Sequence, residues 1–168
     1  MVTDPKIDSR KEQPYASIRT KVSMAELGSG IIPQLHDEVM GWLKAQGASP
    51  SGAPLLIYRA INMSDKLDLE MAWPTVGVLK GNERITTGTL PAGKYGSVLY
   101  TGPYEGPGLM DANRVLIEWA REKGIEWDGG TGPNGDTFAA RYENYITDPG
   151  EEPDPNKWET EVAIKIAD

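Results

Sequence analysis

The chain has 168 residues, 39% of them hydrophobic, with five Trp and seven Tyr, enough to bury a core and too apolar for a disordered tail. A formal charge of −8 argues against non-specific nucleic-acid binding, and the lack of cysteine excludes disulfides, thiolate nucleophiles and cysteine metal sites. No apolar run reaches membrane-spanning length and the opening "MVTDPKIDSRKEQP" has no secretory stretch, so the expected location is the cytoplasm.

Along the chain, residues 1–13 read as a flexible lead-in. "ASIRTKV" is strand-like, and "SMAE" at Ser23 to Glu26 is a capping-box sequence. In "IIPQLHDEVMGWLKAQG" apolar residues recur at Ile32, Leu35, Val39, Trp42 and Leu43, one face of a helix. Pro33 suits its first turn and Gly47 the position past its end. Strands follow in "PLLIYRAIN" and "KLDLEMAWP", then a turn-rich linker over residues 77–93.

The pattern then starts again. "KYGSVLYT" reads as a strand, and "GLMDANRVLIEWAREKG" as a helix with Leu109, Ala112, Leu116, Trp119 and Ala120 on its apolar face and Gly124 closing it. After the loop "EWDGGTGPNGD" come the strands "TFAARYENYI" and "KWETEVAIKI", separated by "TDPGEEPDPNK". The helices correspond at a constant offset: 109 − 32, 116 − 39, 119 − 42 and 124 − 47 all equal 77. Tyr58 matches Tyr142 at an offset of 84, and Glu70 matches Glu161 at 91. The expected fold is α+β, a tandem duplication of a βαββ unit with a mainly antiparallel sheet and two helices outside. Its halves are 14–76 and 90–167, within one domain of residues 14–168, with a cleft between them.

"DLEMAWP" (68–74), "LPAGKYGSVLYTGPYEG" (90–106), "RYENYITDPGEEPDP" (141–155) and "KWETEVAIKI" (157–166) together resemble the GyrI-like small-molecule-binding domain. This module also forms the C-terminal half of some MerR- and AraC-type transcription activators. The resemblance implies a central ligand groove between the two halves. Those activators carry a helix-turn-helix before this domain, which needs many tens of residues. Only about a dozen precede the first strand here, so no DNA-binding domain is expected in this chain. What the resemblance then implies is a stand-alone protein that binds or transforms small molecules, or one that inhibits a protein partner of the DNA gyrase kind.

The residue that most needs explaining is Glu143, a carboxylate inside the aromatic strand "RYENY". Strand alternation puts Arg141, Glu143 and Tyr145 on one face. The resemblance implies that this acid lies at the pocket base and serves hydrophobic, aromatic, cationic compounds; aromatic walls would add cation–π attraction. Burial should raise its pKa. The alternative is an ordinary salt bridge, to Arg141 or to Arg59.

Stand-alone relatives include hydrolases that open the cyclopropane of cyclopropanoid DNA-alkylating natural products. The resemblance then makes Glu143 and Tyr145 catalytic, as general base and as the phenol polarising the substrate oxygen. Tyr58, Tyr100 and Tyr104 are expected to reach the ligand. Trp42 and Trp119, at equivalent helix positions, either wall the pocket or fill the core. The single histidine, His36, is expected at the helix surface, and no Gly-x-Ser-x-Gly elbow accompanies it. The residues suggest no metal site and no cofactor.

Overall fold

Short apolar–polar alternations bounded by glycine and proline generate most of the strands, and the computed structural model describes every residue except Met63 and Asn134, the latter in the expected loop 126–136. In chain order the elements are β1 (Lys6–Arg10), β2 (Gln13–Val22), α1 (Met24–Leu27), α2 (Ile31–Ala45), β3 (Leu55–Ile61), β4 (Leu67–Pro74), β5 (Thr86–Leu90) and β6 (Gly93–Thr101). They continue with α3 (Pro107–Lys123), β7 (Gly129–Gly132), β8 (Gly135–Phe138), β9 (Arg141–Tyr145) and β10 (Glu159–Lys165). The fold class is α+β.

The strands form one antiparallel sheet in the order β1-β6-β10-β9-β3-β4-β2-β5, with the β7–β8 hairpin attached to β3 through β8. The order is mirrored about the β9–β3 junction: β10 then β6 on one side, β4 then β2 on the other. At that seam Leu55, Leu56 and Ile57 pair with Asn144, Glu143 and Tyr142.

Both long helices cover the same face. Leu35, Val39 and Leu43 of α2 pack on Ala16, Ile18, Leu56, Leu69 and Met71. Leu109, Ala112, Leu116 of α3 pack on Val98, Val162 and Ile164. The opposite face carries a smaller cluster around Tyr15, Leu55, Ile57, Tyr95 and Tyr142.

The structure departs from the sequence reading in four places. Residues 1–13 are no loose lead-in: β1 pairs with β6 from Lys6–Ser97 to Arg10–Gly93, and the Thr3 amide donates to the Leu99 carbonyl at 2.9 Å. The linker contains β5, which pairs with β2. The glycine-rich loop contains the β7–β8 hairpin. There is also a third helix, the single turn α1, and Ser23 and Glu26 do form its capping box, their side chains and amides bonding reciprocally. Backbone pairing holds the first three, β1 and β5 as edge strands and β8 on the end of β3, which leaves almost no periodic apolar signal.

Candidate functional site

Glu143 sits mid-strand at the seam, with Leu56 of β3 on one side and Val162 of β10 on the other. Its side chain turns to the helix face and the residue is 4% exposed. Three neutral donors satisfy the carboxylate. The Tyr145 hydroxyl donates to Oε1 at 2.8 Å, and the Tyr58 hydroxyl and the Asn113 amide of α3 donate to Oε2, each at 3.1 Å. Burial pushes the carboxyl above its ordinary pKa, offset only in part by these hydrogen bonds and by the charge of Arg141. Burial and the adjacent carboxylate push both phenols well above theirs, so they remain donors at neutral pH.

Among the described residues no ion pair reaches Glu143, so neither salt-bridge alternative holds. The Arg141 guanidinium donates to Asn113 Oδ1 at 3.1 Å and lies over the rings of Phe138 and Tyr58, at 4.9 and 5.8 Å. Asn113 is thus a neutral spacer, donating to the acid and accepting from the base. Arg59 falls at a β-bulge between Tyr58 and Ala60 and lies on the other face. There its Nε pairs at 2.5 Å with Glu70, which also accepts from Ser17 and Tyr15 at 2.7 and 3.0 Å. Glu161, on that same face, pairs with Arg10 at 2.8 Å. Glu70 and Glu161 are neutralised; Glu143 is not.

A run of aromatic rings passes the carboxylate. Tyr145 lies 5.1 Å from Tyr104, which lies 4.8 Å from Trp158; on its other side Tyr145 meets the edge of His36 at 6.3 Å, and His36 meets Trp73 at 6.1 Å. The Tyr104 hydroxyl bonds to the backbone of Thr147, which fixes that ring. Directly across from Tyr145 on β10 is Thr160, whose hydroxyl is buried without a partner among the described residues.

The structure therefore gathers Glu143, Tyr145, Tyr58 and Tyr104 into one constellation. It leaves three expected ligand residues elsewhere. Tyr100 is buried beneath the start of α3, with its hydroxyl on the Pro103 carbonyl at 3.1 Å. Trp42 packs on the core under α2. Trp119 packs with Trp127 against Gly96, where an added Cβ would come within 3.3 and 3.0 Å of the two indoles. His36 is also displaced from expectation: it is buried, and its Nε2–H donates to the Leu55 carbonyl at 2.7 Å. Burial lowers its pKa and keeps it neutral.

Asn113, Trp73, Trp158 and Thr160 were not singled out by the sequence. Asn113 carried a faint signal, a polar residue directly beside the apolar stripe of α3. Two cavities lie near the seam, of about 380 Å³ on the face away from the helices and about 610 Å³ between α3 and the β7–β8 hairpin. Glu143 borders neither, because Tyr58, Tyr145 and Asn113 close over it.

Among solved structures the chain is similar to the EcmrR C-terminal domain, at 22% identity and a TM-score of 0.76, covering 97% of this chain and 96% of that one. It is similar to the whole EcmrR chain in a DNA complex at 21% identity and a TM-score of 0.75, spanning 98% of itself but only 57% of that protein. It also resembles SAV2435 bound to tetraphenylphosphonium (10% identity, TM-score 0.65, 98% and 94% covered) and a hydrolase from Listeria innocua (11%, 0.59, 98% and 92%). At such identities the likeness is one of fold. No curated protein matches the chain. The family model of the GyrI-like small molecule binding domain matches residues 3–167, and the chain belongs to that family.

Proposed function

We propose that the chain binds hydrophobic aromatic cations against Glu143, in a groove between α2 and α3 that opens when Tyr58 and Tyr145 swing off the carboxylate. The observation that carries this reading is a buried carboxylate held by three neutral donors and, among the described residues, by no cation. A cation arriving there replaces hydrogen bonds from neutral groups with an ionic contact in a poorly screened site. The rings of Tyr145, Tyr104 and Trp158 give it a stacking surface, with about 0.5–2 kcal/mol of cation–π attraction. The tetraphenylphosphonium bound by SAV2435 is a ligand of this class. The mirrored strand order supports treating residues 14–76 and 90–167 as two copies of one unit, with the acid at their seam.

Titration with tetraphenylphosphonium or rhodamine 6G tests the reading. Glu143→Gln should weaken binding by about 1.5–3 kcal/mol, roughly 10- to 150-fold. Equal affinity in the two proteins would sink it.

The 2.8 Å contact between Tyr145 and Glu143 favours a second, hydrolytic reading. Glu143 would take a proton from the water that attacks the strained carbon of a cyclopropanoid dienone. The electron pair of the broken ring bond would pass to the dienone oxygen, which Tyr145 protonates. Loss of dienone absorbance should then fall about 100-fold or more in Tyr145→Phe while dye binding persists. A wild-type protein that binds such compounds without consuming them leaves binding as the function.

A further inference from the structure

One helical ridge leads away from Glu143. Asn113, Ile117 and Arg121 follow at intervals of four on α3, and Asn113 touches the acid while the other two line the 610 Å³ cavity beside the β7–β8 hairpin. The far walls of that cavity are Trp127 and Phe138, and Arg141 lines it as well. It is open to solvent along the hairpin side, and its volume falls in the range of small-molecule pockets.

Of the seven arginines, Arg121 and Arg141 take part in no ion pair among the described residues, and Arg121 is exposed. Arg10, Arg19, Arg59, Arg84 and Arg114 each pair with a carboxylate. Arg141 is largely buried yet takes part in no ion pair among the described residues, and its Nε is buried without a hydrogen-bond partner. Its only described acceptor is the neutral Asn113 oxygen. Burying a guanidinium without a direct ion pair is costly, and here desolvation drags its pKa below the ordinary value, offset only in part by Tyr58 and by the charges of Glu143, beyond Asn113, and Asp136. The other charges around the cavity, Arg121, Glu126 and Asp136, are exposed at its rim, where water and salt screen them, and Asp136 is already bonded to Thr131 at 3.0 Å.

We propose that this cavity is a second small-molecule site, for an aromatic carboxylate whose anionic head pairs with Arg141 and whose ring lies against Phe138 and Trp127. Arg141 then acts as anion anchor in its own cavity, separated by Asn113 from the acid that faces cations. The guanidinium fork suits a planar carboxylate, and Phe138, already 4.9 Å from it, supplies the adjoining apolar wall.

Calorimetric titration with 2-naphthoate and with its neutral counterpart 2-naphthalenemethanol tests the proposal on the unaltered protein. The acid should bind at least tenfold more tightly than the alcohol. Arg141→Met keeps the apolar stem and should abolish that preference, whereas Glu143→Gln should preserve it. Because Arg141 is largely buried, Ile117→Trp serves as a second variant: it fills the cavity from its wall and should weaken naphthoate about tenfold or more. Equal affinity for acid and alcohol in the wild type overturns the proposal. So does a preference that survives Arg141→Met, or one that disappears in Glu143→Gln.

Discussion

A guanidinium separates the fate of Glu70 and Glu161 from that of Glu143. All three sit near tyrosines, but Arg59 and Arg10 neutralise the first two on one face of the sheet, while Asn113 keeps Arg141 off the third. This has a pH consequence. Burial raises the pKa of Glu143 above its value in the unfolded chain. Its contribution to stability is therefore present on the acid side and lost as pH rises through the raised value. Cation binding runs the opposite way, since it needs the ionised form. Tetraphenylphosphonium does not titrate, so its affinity should fall as pH is lowered from neutral towards the ordinary carboxylate range, and should stay flat in Glu143→Gln. A pH series of binding isotherms measures this directly. Strand alternation alone put Arg141, Glu143 and Tyr145 on a common face. It could not supply Asn113, whose amide comes from a helix 30 residues away, nor the buried state of His36, which depends on the Leu55 carbonyl beneath it.

At the level of elements, the two long helices were legible because each carries a full 3.6-residue apolar face and a glycine stop. Gly124 adopts φ 68°, the left-handed conformation that ends α3. The start of α3 hides a tighter constraint. Tyr100 lies so close beneath Gly108 that an added Cβ would meet its hydroxyl oxygen at 2.2 Å, and Tyr100 is too buried to move aside. Gly108→Ala should therefore destabilise the protein by about 1–3 kcal/mol, the usual scale of overpacking, despite the better helix propensity of alanine. A denaturant titration would show it as a lower midpoint at unchanged slope. The strands β1, β5, β7 and the first half of β8 were not legible. Each of these strands is four or five residues long, has at most one buried residue, and is defined by the neighbour it bonds to.

For the molecule as a whole, the mirrored strand order places β3 and β9 side by side, and that seam carries Glu143. The local periodicities sufficed for an α+β chain with two long helices and a mainly antiparallel sheet, because helix and strand repeats are properties of neighbouring residues. Which charges end up paired was decided only by tertiary structure. A bulge one residue long sent Arg59 to the far face, Asn113 came between Arg141 and Glu143, and the phenols of Tyr58 and Tyr145 closed over the acid. Such pairings join residues distant in the chain, and their geometry depends on register and packing that no local pattern encodes.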